Sequence, residues 1–167
     1  MGFKKTSDLI AISFGVVNSA ANTFTQDEIA LQLDVLNNEI FVVLAADIDL
    51  AKPDMVGGTD TSVSGSITST SQTALATLSS TNTIATAELS IRSDAPGNQV
   101  AFQRSATESY TGDLDYIALI ATNNFYVQVD GNGNAGVKSS RGRVYGYRAR
   151  ADASTYAALV QSEVLSA

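Results

Sequence analysis

The chain has 167 residues, 44% hydrophobic and 16% charged, with a formal net charge of −7 at pH 7 and no His, Cys or Trp. The absence of cysteine excludes disulfides and thiolate metal sites, and the acidic balance argues against direct nucleic-acid binding, which needs clustered Lys and Arg. The apolar run Leu9–Val17 is far too short to cross a membrane. The length suits one domain with a substantial core, and we expect a single β-rich structural domain over residues 1–167.

The first third of the chain contains three strand-like patterns. Leu9–Val17 is predicted to be the first strand, with a bulge at Gly15. Apolar and polar residues alternate over Ile29–Val35, as in a half-buried strand, and Asn37-Asn38 predicts a tight hairpin turn because Asn tolerates positive φ. The fully apolar run Ile40–Ala46 predicts a central strand buried on both faces.

Strand patterns continue after the uncharged, Ser/Thr-rich stretch Thr61–Ala87. Ala85–Ile91 alternates with period two, and Asp94–Asn98 has the composition of a strong turn. Tyr116–Ala121 predicts a second central, buried strand, which Asn123-Asn124 would connect to another strand in a hairpin. Arg143–Arg150 is predicted to be a strand with its two tyrosines on one face and Arg148 and Arg150 on the other.

The tail Ser154–Leu165 has the only convincing helical pattern, with Asp152 or Ser154 as N-cap. Its predicted apolar stripe consists of Tyr156, Leu159, Val160 and Val164. Short strands separated by turns about every eight to twelve residues, with one terminal helix, predict a mainly β fold. We expect a sandwich or a jelly-roll-like arrangement of antiparallel sheets with one C-terminal helix.

Two motifs at Asp130–Gly136 resemble ligand sites. Gly131–Gly136 has the spacing of a dinucleotide-binding loop, but no apolar helical stripe follows, so we interpret it as a turn. The segment also begins like a calcium loop, but Ala135 and Arg141 stand where an EF-hand needs Gly and Glu. A looser calcium site remains an alternative, with ligands from Asp47, Asp49, Asp54 or Asp130.

Catalysis has little support in the sequence. No histidine is available to activate a nucleophile. Paired carboxylates could perform glycoside hydrolysis, and the close pairs are Asp47/Asp49 and Asp113/Asp115, but no other feature supports that chemistry. We therefore predict no enzymatic activity, no catalytic residues and no cofactor.

Charge is segregated along the chain. Eight acids and one base lie between Asp27 and Asp60, whereas five bases and no acid lie between Lys138 and Arg150. The two blocks could pair within the fold, or they could meet on neighbouring copies and set the register of an assembly. Arg and Tyr are enriched in protein interfaces, which favours an interface over a base-stacking surface for nucleic acid. The predicted subunit interface consists of Arg141, Arg143, Tyr145, Tyr147, Arg148 and Arg150. On this interpretation, reversing Arg148 and Arg150 abolishes assembly and leaves the monomer folded.

Three stretches carry a family resemblance: Gly2–Ile10, Asn37–Asp49 and Tyr156–Glu163. Together they resemble small virion structural proteins of tailed phages, especially phages that infect marine cyanobacteria. The resemblance implies a non-enzymatic capsid shell or capsid decoration component, made in the host cytoplasm and located in the virion. Its partners would be copies of itself and other virion proteins, in a homo-oligomer or bound to a lattice. The alternative is a β-sandwich adhesion or carbohydrate-binding module, which would be monomeric and saturable by a glycan.

Overall fold

A computed structural model describes residues 2–105 and 114–167 of the chain. The described residues form ten strands and one α-helix: β1 (Phe3–Lys5), β2 (Ile10–Val17), β3 (Thr25–Ala30), β4 (Glu39–Leu50), β5 (Thr61–Thr68), β6 (Thr83–Ala95), β7 (Asn98–Ser105), β8 (Ala118–Ile120), β9 (Asn124–Asn132), β10 (Ser139–Ala151) and α1 (Ala153–Leu165). Within these residues, no helix is long and apolar enough to span a bilayer.

The strands form two antiparallel sheets. In the first sheet, sheet A, β10 is the central strand. One edge of β10 pairs with β2 and then, farther along, with β1, and its other edge pairs with β4. The short strand β8 pairs with the opposite edge of β4. In the second, sheet B, the strand order is β3-β9-β5-β6-β7. The prediction of a mainly β, sandwich-like or jelly-roll-like fold with one C-terminal helix is confirmed.

The main core lies between the two sheets because their strands alternate with period two. Sheet A contributes Phe14, Phe41, Val43 and Val144 to this core, and sheet B contributes Val63, Ile67, Phe125, Val127 and Val129. The aromatic rings come close to the glycines of β10. A Cβ on Gly142 would clash with the backbone carbonyl oxygen of Asp47 and would lie 2.8 Å from Cζ of Phe14, so this position requires glycine.

The first part of strand β4, Ile40–Val43, is buried on both faces, as the run Ile40–Ala46 predicts, whereas Leu44 and Ala45 at the end of that run are half-buried. Phe41 and Val43 point into the main core, whereas Ile40 and Val42 belong to a second cluster beneath α1. All four side chains are at most 1% exposed. Opposite Tyr145 the register shifts by one residue, because Leu44 is an extra residue on β4 and forms a bulge.

The predicted strand Ile29–Val35 and its hairpin are wrong. The strand is Thr25–Ala30, and the chain leaves it before Gln32, which has a positive φ of 53°. The apolar alternation is nevertheless meaningful, because Leu31 and Leu33 are buried outside any strand. Asn38 has a positive φ of 53°, as expected for Asn in a turn, but it caps the short 3₁₀ helix Val35–Asn37. The strands on either side do not pair with each other, because β3 pairs with β9 and β4 pairs with β10.

Other boundaries also differ from the sequence prediction. Only Ala118–Ile120 of the stretch Tyr116–Ala121 forms a strand, and it lies at an edge of sheet A. Ile120 is buried but Ala118 and Leu119 are half-buried, so the prediction of a central, buried strand is wrong. The following strand β9 lies in the other sheet, which contradicts a hairpin at Asn123-Asn124. The pairing of β2 with β10 is regular at Gly15, without a bulge. By contrast, the strand at Ala85–Ile91 and the turn at Asp94–Asn98 are confirmed as β6 and the β6–β7 connection.

Helix α1 is N-capped by Asp152, whose carboxylate accepts a hydrogen bond from the Thr155 amide at 2.8 Å. Three members of the predicted stripe, Tyr156, Leu159 and Val160, pack on the second cluster of sheet A. The fourth prediction is wrong, since Val164 is 63% exposed and Glu163 is the buried residue instead. The Glu163 carboxylate accepts hydrogen bonds from the amides of Ala121 and Thr122, at 2.8 and 3.1 Å, just beyond β8.

We predict that this contact makes the packing of the helix depend on pH. Burial raises the pKa of the Glu163 carboxyl above its ordinary value of 4.5, although the Ala121 and Thr122 amides act in the opposite direction. A raised folded pKa means that this group's stabilising contribution is full below the ordinary value and is lost as pH rises through the folded pKa. Glu163→Gln keeps an acceptor oxygen but cannot ionise. We expect the unfolding free energy of the wild type, minus that of this variant, to fall as the pH rises above the ordinary carboxyl value of 4.5 in urea titrations.

The exposed Glu28 supplies a control, because Glu28→Gln makes the same change without a buried contact. A difference between wild type and Glu163→Gln that does not vary with pH would contradict the prediction.

Candidate assembly surface

The outer face of sheet A, which points away from the sandwich core, is divided at the β4 bulge. One half is covered: Ile40, Val42 and Ala149 lie under the helix residues Tyr156 and Leu159. The other half carries no such cover from any described element, and its charged side chains are exposed.

The uncovered half consists of three rows of residues in register. The middle row, on β10, pairs residue by residue with a row on β2 and with a row on β4. We call these nine residues the open face: Gly15, Ser13 and Ala11 on β2; Arg141, Arg143 and Tyr145 on β10; and Asp49, Asp47 and Ala45 on β4. A basic row therefore lies between an acidic row and a row of small residues.

One ion pair joins the basic and acidic rows. Arg141 Nη2 lies 3.5 Å from Asp49 Oδ2, and the two side chains are 66% and 73% exposed. The Arg141 stem lies beside Gly15, where an added Cβ would be 3.7 Å from its Cγ. Such an exposed pair contributes about 0–1 kcal/mol to the free energy of unfolding. Pairing within one molecule therefore gives the charges of these two rows little role in stabilising the fold.

Arg148 has a different role, because its guanidinium is engaged within the chain. It forms an ion pair with Glu39 and donates to the backbone carbonyls of Leu31 and Gln32. Its own amide donates to Ser7 Oγ at 2.8 Å. Arg148 thus attaches the N-terminal segment and the irregular connection between β3 and β4 to the central strand of sheet A.

The six residues of the predicted interface do not lie on one surface. Alternation along β10 separates Tyr145 and Tyr147 from Arg148 and Arg150, as predicted. Tyr147 lies with the helix-covered cluster, with Lys5 Nζ 5.0 Å from its ring centroid. Arg150 is exposed at the end of the strand, in register with Glu39 and Lys4. Arg141, Arg143 and Tyr145 share the open face.

The two charge blocks meet within the chain at three places, because β4 and β10 are neighbours. Two of these contacts are the pairs of Arg141 and Arg148 with β4 residues, and the third joins Lys138 Nζ to Asp54 Oδ1 at 2.6 Å. The hydrogen bond from Lys138, with further bonds from the amides of Gly136 and Ala135, lowers the pKa of Asp54. Asp54 therefore organises the loop after β9 that the sequence identified as a turn.

The candidate ligand sites are not assembled. The residues described, 2–105 and 114–167, contain no group of three or more Asp or Glu side chains that could hold a metal ion. Asp47 and Asp49 lie in the acidic row, while Asp54 is bound to Lys138. Of the pair Asp113/Asp115, Asp113 lies outside the described residues.

Sequence reasoning identified the basic row but missed its partner on β4. Asp47 and Asp49 stood out only as members of an acidic block, and Ala45 as part of an apolar run. No local pattern shows that these residues flank Arg141, Arg143 and Tyr145, since about 90–100 residues of chain separate them.

No protein-family model and no curated protein matches the sequence. Among solved structures, a chain of Desmodium yellow mottle tymovirus is similar over 88% of this chain and 91% of its own length. The identity is 13% and the TM-score is 0.34, a likeness too low to carry an argument about fold or function.

Proposed function

We propose that the chain is a non-enzymatic structural protein of a virus particle, a capsid shell or capsid decoration component that assembles in many copies. The observation that carries the proposal is the open face, where a basic row and an acidic row lie side by side and uncovered. The sequence resemblance to small virion proteins of tailed phages supports the same function.

The charges of the open face contribute more between two molecules than within one. On an isolated monomer the Arg141–Asp49 pair contributes little, because water screens both side chains. Between two molecules, complementary rows select one register and disfavour others, and partial burial strengthens each charge-assisted hydrogen bond. Tyr145 adds an aromatic side chain of the kind enriched at interface centres. We therefore propose that the open face supplies the direct subunit contacts. Tyr147, Arg148 and Arg150, farther along β10, instead lie against the N-terminal segment of the same chain and hold it in place.

The proposal is tested by reversing the basic row with Arg141→Glu and Arg143→Glu. We expect the double variant to remain folded, because both side chains are exposed, and to lose assembly, because two acidic rows would then meet. Sedimentation velocity and negative-stain images of the purified protein would measure the loss. Wild-type association should also weaken between about 0.1 M and about 1 M salt, as screening shortens the range of the charges.

The matched control reverses two exposed basic residues away from the open face. Arg92 on β6 has one exposed ion pair, to Asp60 at 3.4 Å, and Lys4 on β1 is exposed, so Arg92→Glu with Lys4→Glu makes the same change in net charge elsewhere. Assembly should survive in this control. Unchanged assembly of the open-face variant, or a wild-type protein that stays monomeric and is saturated by a glycan, would overturn the proposal.

A further inference from the structure

Strand β7 forms an edge of sheet B. It pairs with β6 on one side, and within residues 2–105 and 114–167 no strand pairs with its other side. The side chains of residues 100–104 alternate between the two faces of the sheet, and all five are exposed. An edge of this kind presents unpaired N–H and C=O groups, which are a template for pairing with another strand.

The free edge of β7 extends beyond the end of sheet A. β4 ends at Leu50, which lies against Gly65, since a Cβ on Gly65 would be 2.8 Å from Cδ2 of Leu50. Gly65 is paired with Ala87, and Ala87 with Ser105, whereas Ala101 is four residues farther towards the hairpin turn. The described strands of sheet A therefore end before the middle of β7, and α1 covers the half of that sheet farthest from Leu50. A strand of another molecule has room beside β7.

We infer that β7 pairs with β7 of a second copy, antiparallel, about a two-fold axis perpendicular to sheet B. This surface is separate from the open face, so the inference does not rest on the proposed function. Directly opposed residues of an antiparallel pair point to the same face of the sheet, so the axis passes beside one residue. We place it at Ala101, near the middle of the strand, where it pairs residues 98–104 in full. The two five-stranded sheets then form one sheet of ten strands.

One face of this strand pair is apolar. Val100 lies opposite Phe102 of the partner subunit, and Phe102 lies opposite Val100 of the partner subunit. In the single chain these two side chains are 57% and 55% exposed. Aromatic and β-branched residues opposite each other stabilise antiparallel sheets. The contact therefore withdraws from water two apolar side chains that the fold of one chain leaves exposed.

The remaining pairs are polar or small, and they bring no like charges together. Gln99 lies opposite Gln103 of the partner subunit, where each amide can both donate and accept a hydrogen bond. Ala101 meets its own copy at the axis. Arg104 is the only charged residue of β7, and it lies opposite Asn98 of the partner subunit.

Other partners and other axis positions fit less well. An axis at Phe102 would set Val100 opposite Arg104 of the partner subunit, and Ala101 opposite Gln103 of the partner subunit. β7 also contains no Lys or Pro, with which proteins commonly protect edge strands. An unrelated extended segment can also add to a sheet edge, but the match of β7 with its own reversed sequence favours a second copy.

The cysteine-free sequence permits a test of the register by disulfide cross-linking. We expect Ala101→Cys to form disulfide-linked dimers under mild oxidation, since opposed Cα atoms lie about 4.5–5.5 Å apart, within the range of a disulfide. A mixture of Gln99→Cys and size-tagged Gln103→Cys should form heterodimers for the same reason. Each of these two variants alone is the control and should not cross-link to itself, because its two thiols lie about 14 Å apart along the strands. Self-linking of either control as extensive as that of Ala101→Cys, or no linking of Ala101→Cys, would overturn the inference.

A second test uses charge and needs no cysteine. Val100→Lys with Phe102→Lys sets lysines opposite lysines, and Val100→Glu with Phe102→Glu sets glutamates opposite glutamates. Both side chains are exposed in the single chain, so we expect each variant to keep the wild-type circular dichroism spectrum and to sediment as a monomer. An equimolar mixture should form a one-to-one dimer, and one that stays monomeric would overturn the inference. Leu9→Lys with Leu36→Lys changes exposed apolar residues outside β7 and should associate like the wild type.

The outcomes separate this inference from the proposed function. If the wild type forms particles but Ala101→Cys does not cross-link to itself, the β7 pairing is wrong and the assembly function stands. A two-fold contact closes on a pair of copies, so larger assemblies need a second contact such as the open face. If Ala101→Cys cross-links but the wild type never forms larger assemblies, the β7 pairing stands and the virion function is wrong.

Discussion

Replacing Val43 by aspartate is expected to unfold the protein or make it insoluble. Val43 is 0% exposed, points into the core between the sheets, and pairs with Gly146 on β10 and Ala118 on β8. An aspartate there would bury an unpaired carboxylate, which costs several kcal/mol. That cost is comparable to the whole stability of an ordinary domain, about 5–15 kcal/mol. Thermal unfolding followed by circular dichroism would measure the effect.

Val17→Asp is the matched control, because it makes the same chemical change at the end of β2, where the side chain is 56% exposed. We expect this variant to melt close to the wild type. If Val43→Asp stayed soluble with an unchanged melting temperature, the placement of β4 at the centre of the fold would be wrong.

The second large effect is expected for Arg148→Glu. The substitution removes the donors to the carbonyls of Leu31 and Gln32 and places a like charge beside Glu39. We expect a loss of about 2–3 kcal/mol, since an unsatisfied polar group costs about 1–3 kcal/mol. The loss is smaller than for a fully buried pair, because the Arg148 and Glu39 side chains are 31% and 22% exposed and water screens them. The midpoint of urea unfolding would report it.

Two comparisons sharpen this prediction. Arg150→Glu makes the same change two residues along β10 at an exposed position, in register with Glu39. Water screens the new like charge there and no carbonyl loses a donor, so the midpoint should shift much less. Adding Glu39→Gln to Arg148→Glu should recover the part of the loss that comes from charge repulsion, but not the part from the two carbonyls. An Arg148→Glu variant as stable as Arg150→Glu would show that the contacts of Arg148 are not structural.

Because Arg148 stabilises the fold, its reversal cannot serve as a test of assembly alone. Reversing Arg148 together with Arg150 removes contacts that hold the β3–β4 connection, so loss of assembly in that variant would also follow from partial unfolding. Arg141 and Arg143 avoid this difficulty, because they are exposed and Arg141 makes only a weak ion pair within the chain. Their reversal therefore separates assembly from folding.

The part of this protein that the sequence alone determines is local. The unbroken apolar run at Ile40–Ala46, the alternation at Ala85–Ile91 and the turn at Asp94–Asn98 all predict what the structure contains. Each of these signals is carried by neighbouring residues, whose side-chain period and φ preferences act over a few positions. The N-cap at Asp152 is determined in the same way, by a hydrogen bond that spans three residues.

Tertiary structure decides which strands become neighbours, and the candidate surface depends on that choice. Most strands pair with partners far away in the sequence, as β4 does with β10 and β3 with β9. The packing of inner faces selects these pairings, and it simultaneously sets the acidic row beside the basic row on the outer face. It also places Arg148 against the carbonyls of Leu31 and Gln32, and Glu163 against the amides after β8. Residue types alone show that these side chains are charged. Only the pairing of distant segments determines which charges the fold engages and which it leaves exposed.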